Sequence, residues 1–295
     1  LKAEYSQYCK NHKIPIFALP WWLNMVSMEK WDVVKAEYKG VLAFLPFCYH
    51  HKLILKKIYQ PLFTPYLGPI FQLPENISHY QRRQYENELI GNLVKQLPKN
   101  IEYKQKLFPT IDNHLPFYWQ GFSQTTHYTY ILDTHKSEEE IWHGIKNSLQ
   151  RQIRKSAGIC TIQEDISDHK EIWQLAKKSL LRQQAPLIPE DKYVQMIMEN
   201  AYKHNVAKSL TAYHQDKPVA SLFLVFDDDY LYYLFGGYDN TYADTGAMTL
   251  LFWKAILFAK SLGLQFNFEG SMLKGVEQYF RSFGGRLTPV HFIWK

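Results

Sequence analysis

Cysteine is scarce in this chain. The three thiols, Cys9, Cys48 and Cys160, lie far apart and form no C-x-x-C pair. That spacing argues against a disulfide framework and against a thiolate zinc site, and it places the expected home in a reducing cytoplasm. Long apolar runs are missing as well. Ala247 to Ala259, the most apolar stretch, is interrupted by Lys254 and is too short to span a bilayer. Leu1 to Lys13 is too polar for the apolar region of a signal peptide. A soluble protein without membrane insertion is expected. The histidines, His50-His51 included, lack ligand spacing, so no metal is expected. No G-x-S-x-G, Walker A or dinucleotide-binding fingerprint appears.

Charge of one sign is only mildly in excess, with 34 Lys and Arg against 28 Asp and Glu, a net charge of +6. The basic residues form no long runs, which leaves out a dedicated DNA binder. The sign still suits an anionic or nucleotide-linked small molecule, CoA or a tRNA, and it equally suits a slightly basic soluble surface. What is abundant is aromatic: 8 Trp, 21 Tyr and 18 Phe. Such rings favour strands and the walls of clefts. A length of 295 residues fits two medium domains, each with its own core.

The element order repeats. Trp31–Glu37 and Val41–Cys48 flank a Tyr38-Lys39-Gly40 turn and read as a hairpin. A proline-rich run from Pro61 to Pro74 follows, then a helix over Ser78–Leu97 with Ser78 as N-cap, then a strand over Ile101–Leu107. In the second half Lys208–His214 and Val219–Phe226 form the hairpin and Tyr230–Phe235 a third strand. An apolar helix near Thr245–Leu262 and a strand over Leu264–Phe268 complete the repeat. Between the repeats lie a strand over Thr126–Leu132, a single helix over Ser137–Ser156 with a Ser137/Glu140 capping box, a short strand over Cys160–Glu164, and helices near Ser167–Gln183 and Pro189–His204. Strands interleaved with helices predict an α/β or α+β layered fold.

Candidate chemistry concentrates near the C-terminus. Phe235-Gly236-Gly237-Tyr238 ends a strand, where glycine would allow close approach of a ligand; a plain turn or bulge is the ordinary alternative. Thr245-Gly246-Ala247 opens a helix whose free amides and dipole suit a pyrophosphate or carboxylate, or simply start a capped helix. Glu269 closes a strand beside Gly270 as a candidate base for an attacking amine, or as a structural carboxylate in the turn. Over Gly275–Phe283, Val276, Phe280 and Phe283 form an apolar stripe and Arg281 faces away from it. Arg281 is a candidate for holding an anion or developing oxyanion, or a surface ion-pair partner. Arg151, Arg154 and Lys155 lie about 200° around the helix from Leu149, a set that suits phosphates or a solvated face.

These strings resemble the FemABX peptidyltransferases, within the wider GNAT acyltransferase superfamily. Phe266-Asn267-Phe268-Glu269-Gly270-Ser271 with Tyr279-Phe280-Arg281-Ser282-Phe283-Gly284-Gly285 is similar to that family's strand-end turn and its F-K-x-x-F-G-G helix. Gln150 to Ala157 is similar to its R-x-I-R-K-A helix end. The resemblance implies two tandem GNAT-like domains, 1–124 and 125–295, the second carrying most of the site. It also implies transfer of an activated acyl group to an amine, from an aminoacyl-tRNA or an acyl thioester such as acyl-CoA. Arg281 stands where the family has a lysine assigned to binding and catalysis; it keeps the charge but cannot act as a base. Gly236, Gly237, Tyr238, Thr245, Gly246 and Ala247 would contact the donor, and Arg151, Arg154, Lys155 and Phe280 the substrate. The loop Tyr242–Ala247 departs from the GNAT pattern, with one glycine and Asp244, so weak acetyl-CoA binding is expected. A GNAT-like binding protein without catalysis is the alternative.

Overall fold

The protein is described from a computed structural model, which covers residues 1–52, 55–99, 101–270 and 272–295. Ser271, the last residue of the strand-end motif, lies outside the described residues. The chain divides into two compact units, Leu1–Tyr128 with Thr288–Lys295, and Thr129–Leu287. The division expected at 124/125 shifts by a few residues, and the last eight residues, expected in the second half, belong to the first unit.

The first unit holds helices α1 (Lys2–Asn11) and α2 (Pro20–Ser27), strands β1 (Trp31–Tyr38), β2 (Val41–Lys52), β3 (Leu55–Tyr59) and β4 (Ile70–Phe71), helix α3 (His79–Lys95), strand β5 (Ile101–Lys106) and the short helix α4 (Leu115–Tyr118). β1 and β2 form the expected hairpin, closed by Lys39-Gly40 with φ of 47° and 77°. Two left-handed residues match the twist of the strands they join. β2 pairs antiparallel with β3, β3 pairs parallel with β5, and β5 pairs antiparallel with the terminal strand. β3 escapes the sequence because Lys56-Lys57 interrupts its pattern; in the ladder Lys57 lies opposite Glu102, with Nζ 2.7 Å from its carboxylate. α3 buries Leu89, Ile90, Leu93 and Val94 in a core shared with Val34, Leu45 and Phe47.

The second unit is built around β6 (Ser123–Leu132), which enters from the first unit. Helices α5 (Glu138–Gly144) and α6 (Asn147–Ala157), strand β7 (Thr161–Glu164), helices α7 (His169–Arg182) and α8 (Asp191–Lys203) and strands β8 (Ala207–His214), β9 (Lys217–Phe226) and β10 (Tyr230–Tyr238) follow. Helix α9 (Ala247–Ser261), strand β11 (Gln265–Asn267), helix α10 (Lys274–Arg281) and the terminal strand β12 (Arg286–Trp294) complete the chain. β8/β9 is again a hairpin with two left-handed turn residues, Gln215 and Asp216. β9 pairs antiparallel with β10, and β10 parallel with β11. The order hairpin, third strand, helix, parallel strand thus occurs once in each unit, although the sequence pattern marks the third strand only in the second. β9 is buried from Val219 to Val225 because both faces are covered. Leu222 and Leu224 join the α9 core, while Phe223 stacks on Phe235, which in turn meets Trp173 of α7.

The helix expected over Ser137–Ser156 is two. Ile145 leaves the helical region, with ψ of 134°, and its amide bonds back to Trp142. The loosened carbonyls are satisfied locally: the Gln150 amide donates to the oxygens of Trp142 (2.8 Å) and Ile145 (2.9 Å). Lys146 N–H donates to Ser282 O (2.9 Å), tying the break to the end of α10.

Candidate active site

β10 and β11 run together only over Tyr230–Tyr232 and Gln265–Asn267. Just beyond, the β9–β10 register slips between Tyr233 and Phe235, leaving Leu234 as the extra residue of a bulge. A bulge bends its strand and ends the pairing nearby. The far half of β10, Gly236 to Tyr238, becomes one wall of a cavity of about 430 Å³. The size is that of a small-molecule site. Other walls come from the start of α9, from the turn before it, from α7 and α10, and from Gln152 of α6.

A polar chain crosses the cavity lining. Thr249 Oγ1 donates to Gln152 Oε1 (3.0 Å), which leaves the Tyr279 hydroxyl to donate to Thr249 Oγ1 (3.0 Å). Burial raises the Tyr279 pKa well above the phenol range, the Thr249 hydrogen bond opposing and Tyr238 adding to it. Tyr279 is therefore a proton-bearing hydroxyl at neutral pH. Tyr233, raised likewise by burial and then by Tyr279 and Glu269, donates to Gly236 O (3.3 Å).

The start of α9 is open. Gly246 is left-handed, with φ of 71°, and a Cβ there would come within 3.2 Å of Gln152 Cβ, so glycine is required on both counts. Gly246 has no side chain to cap the helix. The Ala247 amide donates to Thr245 Oγ1 at 3.3 Å and the Thr249 amide to Gly246 O at 3.0 Å. Among the described residues the Met248 amide finds no acceptor. A helix N-terminus with a spare amide beside a cavity offers positive potential to a carbonyl oxygen or anion. Arg182, the one charged residue among the described residues lining the cavity, sits 4.3 Å over the Tyr238 ring and donates to Ser179 Oγ (3.1 Å).

The structure sorts the predicted residues. Gly236, Gly237, Tyr238, Thr245, Gly246, Ala247 and Phe280 all line the cavity. The two strand glycines have a different reason from the one expected. A Cβ on Gly237 would lie 2.3 Å from Leu175 O and one on Gly236 2.5 Å from Ser221 O. They seat α7 and β9 against β10, and ligand approach is not what demands them.

Arg281 is not on the cavity. It is largely exposed, its Nε lies 3.1 Å from Glu277, and it borders a separate depression with Lys146 and Ser282. Glu277 also accepts from Tyr130 Oη at 2.5 Å. The reason lies in the helical phase: Val276, Tyr279 and Phe280 take the cavity side of α10, and Arg281 follows on its outer side. Glu269, left-handed with φ of 58°, donates its amide to Asn267 Oδ1 (2.8 Å) and also lies outside the lining.

The basic set of α6 is outside too. Arg151 is exposed, Arg154 stacks on Trp142 at 5.2 Å, and Lys155 Nζ donates to Asp244 O at 2.7 Å, fastening the turn before α9. Gln152, between the cations, is the residue that reaches the cavity. Sequence reasoning missed it, together with Thr249, Tyr279 and Arg182. Tyr279 carried the one available signal, its place next to Phe280 in the motif.

Residues 145–281, somewhat less than half of the chain and all within the second unit, match the acetyltransferase (GNAT) domain family. The second unit carries a GNAT acetyltransferase-like domain. The fold is similar to that of FemX, with a TM-score of 0.68 at 12% identity over 99% of this chain and 95% of that one. It is similar to L-PGS from Bacillus licheniformis, with a TM-score of 0.59 at 11% identity over 99% and 91%. A tandem GNAT protein from the clavulanic acid biosynthesis pathway aligns with a TM-score of 0.50 at 8% identity over 99% and 92%. At these identities the likeness is one of fold. No curated protein matches the chain by sequence. Among the described residues no helix is long and apolar enough to cross a membrane.

Proposed function

We propose that this protein is an acyl- or aminoacyl-transferase that moves an activated acyl group onto an amine, with the acyl group held in the cavity of the second unit. The observation that carries the reading is the open, positively polarised start of α9 facing the same cavity as the Tyr279 hydroxyl. The acceptor amine attacks the acyl carbonyl carbon. The Met248 amide and the α9 dipole stabilise the oxyanion that forms; as the tetrahedral intermediate collapses, Tyr279 turns its hydroxyl hydrogen from Thr249 to the departing sulfur or oxygen and gives it up, then regains through water the proton that the attacking nitrogen releases. Thr249 and Gln152 hold that hydroxyl in place. Among the described residues the lining contains no carboxylate or imidazole, so the amine enters neutral or loses its proton to water, and rate comes chiefly from positioning. Arg182 at the mouth meets an anionic part of the donor.

The donor is an aminoacyl-tRNA or an acyl thioester; likeness to FemX and L-PGS supports this class without choosing within it. The chain acts in a reducing compartment of a bacterial-type cell, its three cysteines being free. A binding protein that has lost catalysis is the second reading, favoured by the absence of any acid or base other than tyrosine in the lining.

The test is amine acylation with acetyl-CoA and with alanyl-tRNA as donors, using UDP-muramyl peptide and a simple amine as acceptors. Tyr279→Phe should lower turnover by about 10²-fold while leaving donor affinity within about threefold. Stabilisation by a donor without transfer would establish the binding reading. No stabilisation and no transfer with either donor would sink both.

A further inference from the structure

Resting on that reading, we infer that the transferred acyl group is uncharged and apolar beyond its α-carbon, and that a donor whose side chain ends in an ammonium group is rejected. The cavity wall is made by Phe252, Phe280, Tyr233, Tyr279, Val276 and Met248, with neutral amide and hydroxyl groups between them. Among the described residues no Asp or Glu lines it, and its one charge is the guanidinium of Arg182.

Asp244, between the lining residues Ala243 and Thr245, is exposed and outside the lining, and two other acids that flank lining residues in sequence are turned to other partners. Asp239, next to Tyr238, accepts from Lys178 Nζ (2.5 Å) and from the Thr241 amide (3.0 Å). Glu277, next to Val276, is taken by Arg281 and Tyr130. Glu269 is close enough to raise the Tyr233 hydroxyl but does not reach the cavity. A chain-end ammonium would be desolvated among rings, with no counter-charge and an arginine of the same sign at the mouth. Burying an unpaired cation is strongly unfavourable, whereas a methylene chain gains from the same surroundings. Ring faces attract cations weakly, and for a desolvated ammonium that attraction does not replace a carboxylate. The lining thus selects by charge as well as by shape.

The experiment uses two nearly isosteric probes, heptanamide and 6-aminohexanamide, titrated into the full chain and followed by protein-observed NMR at cavity residues. Heptanamide should bind at least about tenfold more tightly. Val276→Asp sets a carboxylate in the cavity wall in the first turn of α10, where an acid suits the helix dipole. It should reverse the preference. Met248→Glu, in the first turn of α9, is the second variant should the first not fold. Equal or tighter binding of 6-aminohexanamide to the wild-type protein overturns the inference and leaves the transferase reading standing. So does an unchanged preference in a folded acidic variant. Binding of neither amide at the cavity removes the acyl site itself, and the proposed function with it.

Discussion

In the first unit the helix between the parallel strands, α3, begins at Ser78, whose hydroxyl accepts from the Gln81 amide while the Gln81 side chain accepts from the Ser78 amide. In the second unit the helix in the same place, α9, begins at Gly246 with no side-chain cap. One N-terminus is closed by its own sequence; the other faces a cavity. The third strands differ in parallel. β10 carries a bulge and two glycines, and α7 presses on it where no side chain intervenes, whereas β3 runs into a proline-rich segment with Tyr66 and Leu67 fully buried. The same order of elements therefore gives a helix start closed by a capping box in one unit and one open on a cavity in the other. What separates them is a handful of local choices: a serine or a glycine at a cap, and a bulge in a strand.

The comparison can be broken at its largest contact. Gly237→Ala places a methyl against the α7 backbone and should destabilise the protein by about 3 kcal/mol, the upper range for overpacking. It should also distort the cavity wall. Chemical denaturation of the variant checks this, and a loss below about 1 kcal/mol would mean that α7 does not sit tightly on β10.

A smaller effect is expected at the closed cap of the first unit. Ser78→Ala should cost about 1 kcal/mol in stability with donor binding and turnover unaltered. If turnover fell along with stability, the first unit would be part of the reacting site.

The smallest effect is expected at Arg281. Its exposed pair with Glu277 is worth well under about 1 kcal/mol, so Arg281→Met should stay within about 0.5 kcal/mol of the parent in stability. Its distance from the cavity lining should leave turnover within a few-fold of the parent. A fall of about 10²-fold would restore this arginine to the reacting centre and displace Tyr279 from it.

Much of the fold was legible. The hairpin turns at Lys39-Gly40 and Gln215-Asp216, the Ser78 and Ser137 capping boxes and the apolar run of α9 are local signals, read within a few residues of one another. The candidate site was legible only in its outline: Gly246, Ala247, Tyr238 and Phe280 line the cavity, while Arg281, Glu269 and the Arg151, Arg154 and Lys155 set lie outside it. The sequence by itself determined most of the helices and strands from Trp31 onward, their order, and which face of each is apolar, because propensity, capping and periodicity act between near neighbours; it left α1, α2 and β3 unmarked. Only the tertiary structure decided the break at Ile145, the seat of α7 on Gly237, and the choice of Gln152 over the cations beside it. Those outcomes depend on which surface another segment brings against a given face. A helical phase says which side chains share a side of α6 or α10, but not whether that side meets solvent, a core or a cavity.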